Sequence, residues 1–257
     1  MSALDDSFAQ AAALVSQAQY MVALTGAGVS TASGIPDFRS VGSGLWEFND
    51  PLEVASLSAF RYHPERFYKW FQPLAALMQT AQANAAHAAL AELEHRGRLK
   101  LLITQNIDGL HTQAGQQAVV ELHGNLREAV CGRCHTRWPG APIMAQVAAI
   151  GQVPHCPDCD GVLKPNAVLL GEVIPESALQ AARTAARACD LMLVIGCSLE
   201  VMPAAALPYE AVSSGARLII FNHDPTYMDE RADVIFRTDV IESLPSLIRR
   251  LKATRDV

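Results

Sequence analysis

The sequence predicts an α/β protein built on a parallel sheet with helices on both faces. Three observations lead to this fold class. An apolar run at residues 20–25 ends in a glycine-rich turn, further apolar runs follow at 99–104, 191–195 and 217–221, and helix-like segments separate these runs. Strands that alternate with helices pair in parallel, and the ligands of such sheets bind at the carboxyl ends of the strands.

Helices and one more strand are expected in the first half of the chain. Residues 6–19 are rich in alanine, with apolar side chains near helical spacing, which predicts an opening amphipathic helix. Residues 51–77 favour short helices around an apolar cavity, while plain core packing explains each of their apolar residues equally well. A helix over residues 84–95 should close at Gly97, and the apolar pair at 119–120 should end another strand.

The second half begins with an interruption. Residues 131–161 carry proline, glycine and cysteine, so we expect an insertion outside the sheet. The alternation then resumes with helices over residues 176–188, after Pro203 and over residues 241–252.

The composition favours a soluble globular enzyme. The chain has 257 residues and half of them are hydrophobic, which is enough for a substantial core. A net charge of −6 gives no electrostatic footprint for nucleic acid or an anionic membrane. Residues 1–6 are acidic, and no apolar run approaches the ~18 residues that span a bilayer, so neither a signal peptide nor a membrane segment is expected. We therefore expect a cytoplasmic protein, and a monomer is compatible with the sequence.

The glycine-rich segment at residues 26–39 predicts a nucleotide site. It follows a buried strand, so its backbone N–H groups can face a pyrophosphate. Thr31 stands where a dinucleotide fingerprint has its third glycine, and the segment around Gly34 and Pro36 interrupts helix. A dehydrogenase places an acidic residue about 20 positions further on, at the end of a second strand. Residues 46–51 do not have the pattern of a strand end. These features predict a dinucleotide that does not serve as a hydride carrier.

Four cysteines in two Cys-x-x-Cys pairs predict a metal site. Each pair turns both sulfur atoms towards one ion, and four thiolates suit zinc; the predicted ligands are Cys131, Cys134, Cys156 and Cys159. A redox dithiol is the alternative. Because four thiolates leave no open position on zinc, such a metal would be structural.

The glycine-rich segment is similar to the signature of the sirtuin family, the NAD-dependent protein deacylases. Further motifs occur in the order of that family, and together they span roughly residues 20 to 245: Gln-Asn-Ile-Asp at 105–108, Glu-Leu-His-Gly at 121–124, the cysteine pairs, Gly-Cys-Ser-Leu at 196–199 and Phe-Asn-His-Asp-Pro at 221–225. One glycine motif is weak evidence, whereas several motifs in order are specific.

The resemblance implies NAD as co-substrate and one structural zinc ion. It implies that His123 is the catalytic base, since an imidazole that titrates near neutrality can activate a ribose hydroxyl. It assigns Asn106 to a water or ribose hydroxyl, and Asp108 to the carboxamide of nicotinamide. Taken alone, a histidine here is more often a surface or core residue, and an Asn-x-Asp turn more often caps the local backbone.

The residues that the resemblance assigns to NAD come from six segments. Among them, Arg39 offers donors for phosphate, and Phe38 covers the sugar and excludes water. The full set is Gly26, Ala27, Gly28, Thr31, Ile35, Asp37, Phe38, Arg39, Gln105, Asn106, Ile107, Asp108, His123, Gly196, Cys197, Ser198, Asn222, Asp224 and Val240. Family members commonly have threonine at Cys197 and glutamate at Asp224.

The same resemblance implies an acyl-lysine peptide as the second substrate. An extended peptide would pair with the segment Val168, Leu169, Leu170, Gly171 and Glu172, opposite the loop at residues 196–201. Members that remove acidic acyl groups carry tyrosine and arginine at the positions of Phe71 and Leu74. We therefore expect neutral acyl groups here.

The implied activity is that of an NAD-dependent protein lysine deacetylase or deacylase. Such an enzyme transfers the acyl group from lysine to ADP-ribose and releases nicotinamide and O-acyl-ADP-ribose. Protein mono-ADP-ribosyl transfer and a non-catalytic NAD-sensing module are the alternatives. The implied architecture is a single catalytic domain over residues 1–257, with a Rossmann-like large part and a small part that combines a helical module and a zinc module. The large part covers approximately residues 1–38, 82–125 and 173–257, and the small part approximately 39–81 and 126–172.

Overall fold

The computed structural model describes residues 3–38, 40, 42 and 44–253. Its strands are β1 Met21–Thr25, β2 Leu99–Thr104, β3 Val119–Glu121, β4 Gly124–Cys131, β5 Arg137–Pro139, β6 Leu163–Ala167, β7 Leu191–Ile195, β8 Arg217–Phe221 and β9 Val234–Phe236. Its helices are α1 Ala3–Gln17, α2 Leu45–Phe48, α3 Pro51–Val54, α4 Leu57–Tyr62, α5 Pro64–Thr80, α6 Ala85–His95, α7 Leu110–Gln113, α8 Gly140–Ile150, α9 Glu176–Ala188, α10 Leu207–Ser213 and α11 Val240–Ala253.

Six strands form one parallel sheet in the order β3-β2-β1-β7-β8-β9. Every residue of β1 and β7 is buried, because helices cover both faces. Alternate residues of β1 serve the two faces: Met21 and Ala23 pack with α1, α6 and α11, and Val22 and Leu24 pack with α9 and α10. The predicted fold class is confirmed.

The predicted elements of this sheet agree closely with the structure. The strands over 99–104, 191–195 and 217–221 and the helix over 176–188 have the predicted bounds. Helix α6 begins directly after Asn84, whose side chain accepts hydrogen bonds from the backbone of the first turn, and the chain leaves it through Gly97 at a φ of +69°.

The insertion at residues 131–161 lies outside the parallel sheet, as predicted, but it is more regular than expected. Strands β5, β4 and β6 form a separate antiparallel sheet, and α8 follows β5 and precedes β6 along the chain. Helix α8 packs on α5 through an apolar cluster that includes Phe67, Phe71, Met144 and Val147. The hydroxyl of Tyr68 on α5 also donates to the carbonyl of Leu163. The cysteine-bearing insertion and the helical segment therefore share one core.

Within the described part of the chain, no helix is long and apolar enough to span a membrane.

Candidate functional site

The glycine turn after β1 lies directly against the end of β7. The N–H group of Gly26 donates to the carbonyl of Ile195 at 3.1 Å, and that of Gly28 donates to the carbonyl of Gly196 at 3.0 Å. A Cβ atom added to Gly28 would lie 2.8 Å from Cα of Gly196, and one added to Gly26 would lie 2.7 Å from the Gly196 carbonyl oxygen. Only glycine allows these two turns to approach so closely.

A cavity of about 340 Å³ opens above this turn. Most of the residues predicted to bind the cofactor line it, namely Gly26, Ala27, Gly28, Thr31, Asp37, Phe38, Gln105, Asn106, His123, Gly196, Cys197, Ser198, Asn222, Asp224 and Val240. The cavity lies at the carboxyl ends of β1, β2, β7 and β8, where a parallel sheet binds its ligands. Sequence reasoning missed Ser40, His223 and Asp239, which also line it. Their signal was weak, since each stands beside a predicted residue in a loop without a regular pattern.

Three of the predicted residues that the structure describes do not line this cavity. Ile35 is buried against Ala81 and Leu110 beneath the loop, and Ile107 faces a second cavity. Asp108 accepts hydrogen bonds within the protein, as described below. Arg39 lies outside the described residues.

Ser30 joins two of the predicted catalytic residues. Its side-chain hydroxyl donates to the carboxylate of Asp108 at 2.7 Å and lies 3.2 Å from Nδ2 of Asn106, which also donates to the carbonyl of Gly26 at 3.0 Å. The second oxygen of the Asp108 carboxylate accepts from the N–H group of Leu110 at 2.9 Å. The Gln-Asn-Ile-Asp turn is thereby held against the glycine turn, and Ser30 is only 1% exposed. The assignment of Asp108 to nicotinamide stays a prediction.

His123 follows β3 and has a fixed tautomer. Its Nδ1 atom lies 3.0 Å from the carbonyl oxygen of Gln105. Because a carbonyl only accepts, Nδ1 carries the proton and Nε2 of the neutral ring is a proton acceptor. Burial lowers the pKa of His123 below the ordinary histidine value, and the hydrogen bond to Gln105 offsets part of that shift. The neutral ring suits a general base.

The second cavity is apolar and has a volume of about 370 Å³. Its lining includes every predicted substrate residue, namely Phe71, Leu74, Val168, Leu169, Leu170, Gly171 and Glu172. His123 and Phe38 line both cavities. Among the described residues that line the apolar cavity, His123 and Glu172 are the only ones with titratable side chains. Phe60, which lies within the segment 51–77 expected around an apolar cavity, does not line this one and packs against Phe67 and Tyr68 of α5.

The segment after β6 is held in place from both sides. Leu170 donates its N–H group to the carbonyl of Ala55 at 3.0 Å and accepts from the N–H group of Leu57 at 2.9 Å. Oε2 of Glu172 accepts from Nζ of Lys164 at 2.9 Å and from the N–H group of Leu169 at 2.7 Å. Both side chains of this ion pair are 19% exposed. The backbone of Leu170 is thus already paired within the chain, so a bound peptide would have to use other backbone groups of the segment.

The four predicted zinc ligands form one cluster. Cys131 and Cys134 lie at the end of β4, and Cys156 and Cys159 precede β6. All four sulfur atoms lie within 4.8 Å of one another, with 3.5 Å between Cys131 and Cys159 and 3.7 Å between Cys134 and Cys156. These separations exceed the ~2.05 Å of a disulfide and match the edges of about 3.8 Å in a tetrahedron with Zn–S bonds of about 2.3 Å. The cluster therefore fits one tetrahedral zinc ion.

A parallel α/β sheet whose glycine turn faces a polar cavity defines a nucleotide-binding protein of the Rossmann type. A sequence profile of the Sir2 family matches residues 26–203. The NAD-dependent protein deacetylase of Caldivirga maquilingensis is 41% identical over 243 residues, which cover 95% of this chain and 93% of that protein. The NAD-dependent protein deacylase 2 of Archaeoglobus fulgidus is 40% identical over 253 residues, which cover 98% of this chain and 99% of that protein. The chain belongs to the Sir2 family, which confirms the resemblance found in the sequence.

Solved Sir2 structures have the same fold. One is similar with a TM-score of 0.90 and 39% identity, over 97% of this chain and 99% of that chain. Another, a Sir2 protein with a peptide and NAD⁺, has a TM-score of 0.86 and 38% identity, over 94% of this chain and 97% of that chain.

Proposed function

We propose that this chain is an NAD-dependent protein lysine deacylase, with acetyl-lysine as its default substrate. It transfers the acyl group to ADP-ribose and releases nicotinamide and O-acyl-ADP-ribose. One observation carries the proposal: His123, a neutral base, lines both a polar cavity at a glycine turn and an apolar cavity. A base at this position can reach a hydroxyl of a ligand in the first cavity beside a second substrate in the other cavity.

The residues around the polar cavity suit NAD. The close contact of Gly26 and Gly28 with Gly196 leaves the turn free of side chains, so that backbone N–H groups can approach a pyrophosphate. NAD supplies an electrophilic ribose carbon and nicotinamide as leaving group. Nε2 of His123 accepts a proton from a ribose hydroxyl, and Asn106 holds a water or a ribose hydroxyl. Phe38 keeps water from the site.

The apolar cavity supports neutral acyl groups. The carboxylate of Glu172 is the one acidic side chain in its described lining, and Lys164 already pairs with it. Among the described lining residues, an acidic acyl group would meet no lysine or arginine side chain. Burying an unpaired carboxylate is costly. A solved Sir2 structure that holds a propionylated peptide, 37% identical and with a TM-score of 0.85, agrees with a neutral acyl substrate.

The cysteine cluster would hold the zinc ion in a structural role, because four thiolates leave no open position for a substrate. We also propose the two-part division expected from the sequence, supported by the two separate sheets. A cytoplasmic location belongs to the same proposal, and the six free cysteines suit a reducing compartment.

Product analysis tests the activity. An acetyl-lysine peptide and NAD, incubated with the protein, should yield deacetylated peptide, nicotinamide and O-acetyl-ADP-ribose in equal amounts by mass spectrometry. Omission of NAD should stop the reaction. Transfer of ADP-ribose from NAD to a protein acceptor would instead identify a mono-ADP-ribosyltransferase, and bound NAD without turnover would identify a sensor.

A further inference from the structure

The polar cavity extends along the carboxyl ends of the sheet strands. In the order β3-β2-β1-β7-β8-β9, His123 follows β3 on one side of the cavity, and Asn222 follows β8 four strand spacings away. At ~4.8 Å for each spacing, this width suits an elongated dinucleotide. In the proposed reaction His123 accepts a proton from the ribose that carries nicotinamide. The adenosine half of NAD therefore lies on the side of β8.

On that side a loop forms the wall of the cavity. Asn222, His223 and Asp224 begin the connection between β8 and β9, and all three line the cavity. The side-chain amide of Asn222 donates to the carbonyl of Asp224 at 2.9 Å, which turns the loop back on itself. A loop keeps one shape only where its backbone groups have firm partners, because it lacks the ladder of a strand or helix.

Arg237, which follows β9, supplies such partners from behind the wall. Its Nη1 atom donates to the carbonyl of Asn222 at 2.8 Å and to that of Asp224 at 2.9 Å. Its Nη2 atom forms an ion pair with the carboxylate of Asp229. That carboxylate also accepts from the N–H group and the hydroxyl of Thr226, at 3.1 and 2.9 Å. One guanidinium thus fixes three points of the loop, although Arg237 does not line the cavity.

We propose that Arg237 is a positioning residue for the adenosine half of NAD. It holds residues 222–224 in the shape that meets the nucleotide, so the loop does not have to be ordered when NAD binds. The planar guanidinium can serve both carbonyls and a carboxylate at the same time, which the single ammonium of lysine cannot match. The proposal rests on the proposed deacylase function for the identity of the nucleotide and for its direction in the cavity.

Binding of ADP-ribose tests this role without turnover. ADP-ribose contains the adenosine and the pyrophosphate but no nicotinamide, and isothermal titration calorimetry gives its Kd. Arg237→Met keeps an apolar stem and removes the donors, so the Kd should rise by about tenfold or more. Arg237→Lys keeps the charge but cannot reach all three acceptors, so its Kd should lie between those of Arg237→Met and the unmodified protein.

Arg217→Met is the matched control. Arg217 is the first residue of β8 and forms an ion pair with Asp233 through two of its nitrogen atoms. It lies at the amino end of the strand, away from the cavity. Ion pairs at the surface add little to the stability of the fold, so both methionine variants should show the circular dichroism of the unmodified protein. The Kd of Arg217→Met for ADP-ribose should equal that of the unmodified protein.

Steady-state kinetics separate a positioning role from a general structural one. In Arg237→Met, KM for NAD should rise by about tenfold, while kcat at saturating NAD and KM for an acetyl-lysine peptide should change by less than about twofold. The reason is that the peptide and the reacting ribose meet residues that follow other strands. A parallel loss in all three constants would show that the substitution disrupts the whole site, and would contradict the proposal.

The outcomes separate the two proposals. If ADP-ribose binds to Arg237→Met as tightly as to the unmodified protein, or if Arg217→Met weakens binding equally, the positioning role is wrong and the deacylase proposal stands. If Arg237→Met alone weakens the binding of ADP-ribose but no acetyl-lysine peptide is turned over, the positioning role stands and the deacylase proposal fails. An unmodified protein that does not bind ADP-ribose would overturn both.

Discussion

At the scale of single residues, a few buried polar side chains set the chemistry of the site. His123 owes its proton-accepting Nε2 atom to one backbone carbonyl, that of Gln105, which occupies Nδ1. Ser30 orients Asn106 and Asp108 through one hydroxyl. Each of these contacts links the loop after β2 to a neighbouring turn, so the site depends on the spacing of the strand ends.

The first prediction concerns His123. Replacing it with alanine should leave the fold and NAD binding largely intact and lower kcat/KM for an acetyl-lysine peptide by about a hundredfold or more, the usual loss of a general base. In the unmodified enzyme, kcat/KM should fall with decreasing pH, because protonation removes the acceptor at Nε2. The midpoint should lie below the ordinary pKa of histidine, since burial lowers the pKa of His123. A pH–rate profile of both proteins checks this, and near-normal turnover by the variant would remove His123 from its role.

A second pair of histidines predicts acid sensitivity of the fold. The rings of His87 and His111 lie 4.7 Å apart. Nε2 of His111 lies 2.9 Å from Oγ1 of Thr25, and Nδ1 of His87 accepts from the N–H group of Asn84 at 3.3 Å. The remaining two ring nitrogens, Nε2 of His87 and Nδ1 of His111, find no hydrogen-bond partner among the described residues. Burial lowers the pKa of both, that of His111 to about 3. The folded pKa thus lies below the unfolded one, so the stabilising effect of the neutral rings is complete above the ordinary histidine pKa. It should be lost as pH falls towards about 3.

Thermal unfolding between pH 7 and pH 5 measures this effect. The loss of Tm on acidification should be smaller in His111→Gln than in the unmodified protein, because the unfolded state then gains fewer protons than before. His95→Gln is the control, since His95 is exposed near the end of α6. Equal pH dependence in all three proteins would contradict the role of the buried pair.

At the scale of elements, the apolar patterns gave reliable bounds where strand and helix are both buried. Strands β2, β7 and β8 and helix α9 have the predicted ends. A buried strand appears in the sequence as an unbroken apolar run, and a helix buried along one stripe shows apolar residues at helical spacing. Strands β4, β5 and β9 were missed: β5 and β9 have three residues each, which are too few to show a period, and most of β4 is only half-buried. Helix α8 was hidden by Gly140 and Pro142 at its start. The sequence predicted an apolar cavity but not its full lining, because the lining residues come from segments that are distant in sequence.

The cysteine cluster predicts that the small antiparallel sheet stays folded only while the metal is bound. Chelation, or Cys131→Ser, should remove one zinc ion per chain and abolish activity. Without the metal, the segment from β4 to β6 should unfold locally, and the packing of α8 on α5 should be lost with it. Metal analysis, circular dichroism and activity should be measured on the same samples. Cys189→Ser is the control, since this buried cysteine lies outside the cluster and its sulfur donates to the carbonyl of Ala186. A metal-free protein that remains folded and active would refute a structural zinc.

The residues of α5 that line the apolar cavity predict discrimination against acidic acyl groups. Succinyl-lysine should be a poorer substrate than acetyl-lysine by about a hundredfold in kcat/KM, because an unpaired carboxylate would be buried against Phe71 and Leu74. Phe71→Tyr combined with Leu74→Arg should narrow the gap, and Leu77→Arg, on the exposed side of the same helix, should not. Steady-state kinetics on matched peptides decides this. Equal efficiencies in the unmodified enzyme would mean that the acyl group binds elsewhere.

At the scale of the whole molecule, the polar cavity collects residues from beyond the carboxyl ends of β1, β2, β3, β7 and β8, from the start of α11 and from the loop at Asp37 and Phe38. A ligand that fills it therefore binds only when the sheet, the glycine turn and this loop are assembled. Binding that requires the folded state stabilises that state. Within the cavity, an added side chain would fit poorly at the ends of β1 and β7, because Gly28 and Gly196 are in direct contact.

The last prediction follows from this dependence. At a concentration of about 100 Kd, NAD should stabilise the protein by about 2.7 kcal/mol, which for a chain of this size corresponds to a rise in Tm of roughly 5–10 °C. Gly28→Ala should lose most of that rise, since its Cβ would lie 2.8 Å from Cα of Gly196 and would displace the turn that faces the pyrophosphate. Gly132→Ala provides the matched control, because its Cβ would meet only the carbonyl oxygen of Val162, at 3.5 Å. Differential scanning calorimetry of each protein with and without NAD measures the rise separately from the cost of the substitution itself. An unchanged rise in Gly28→Ala would show that NAD does not bind at the glycine turn.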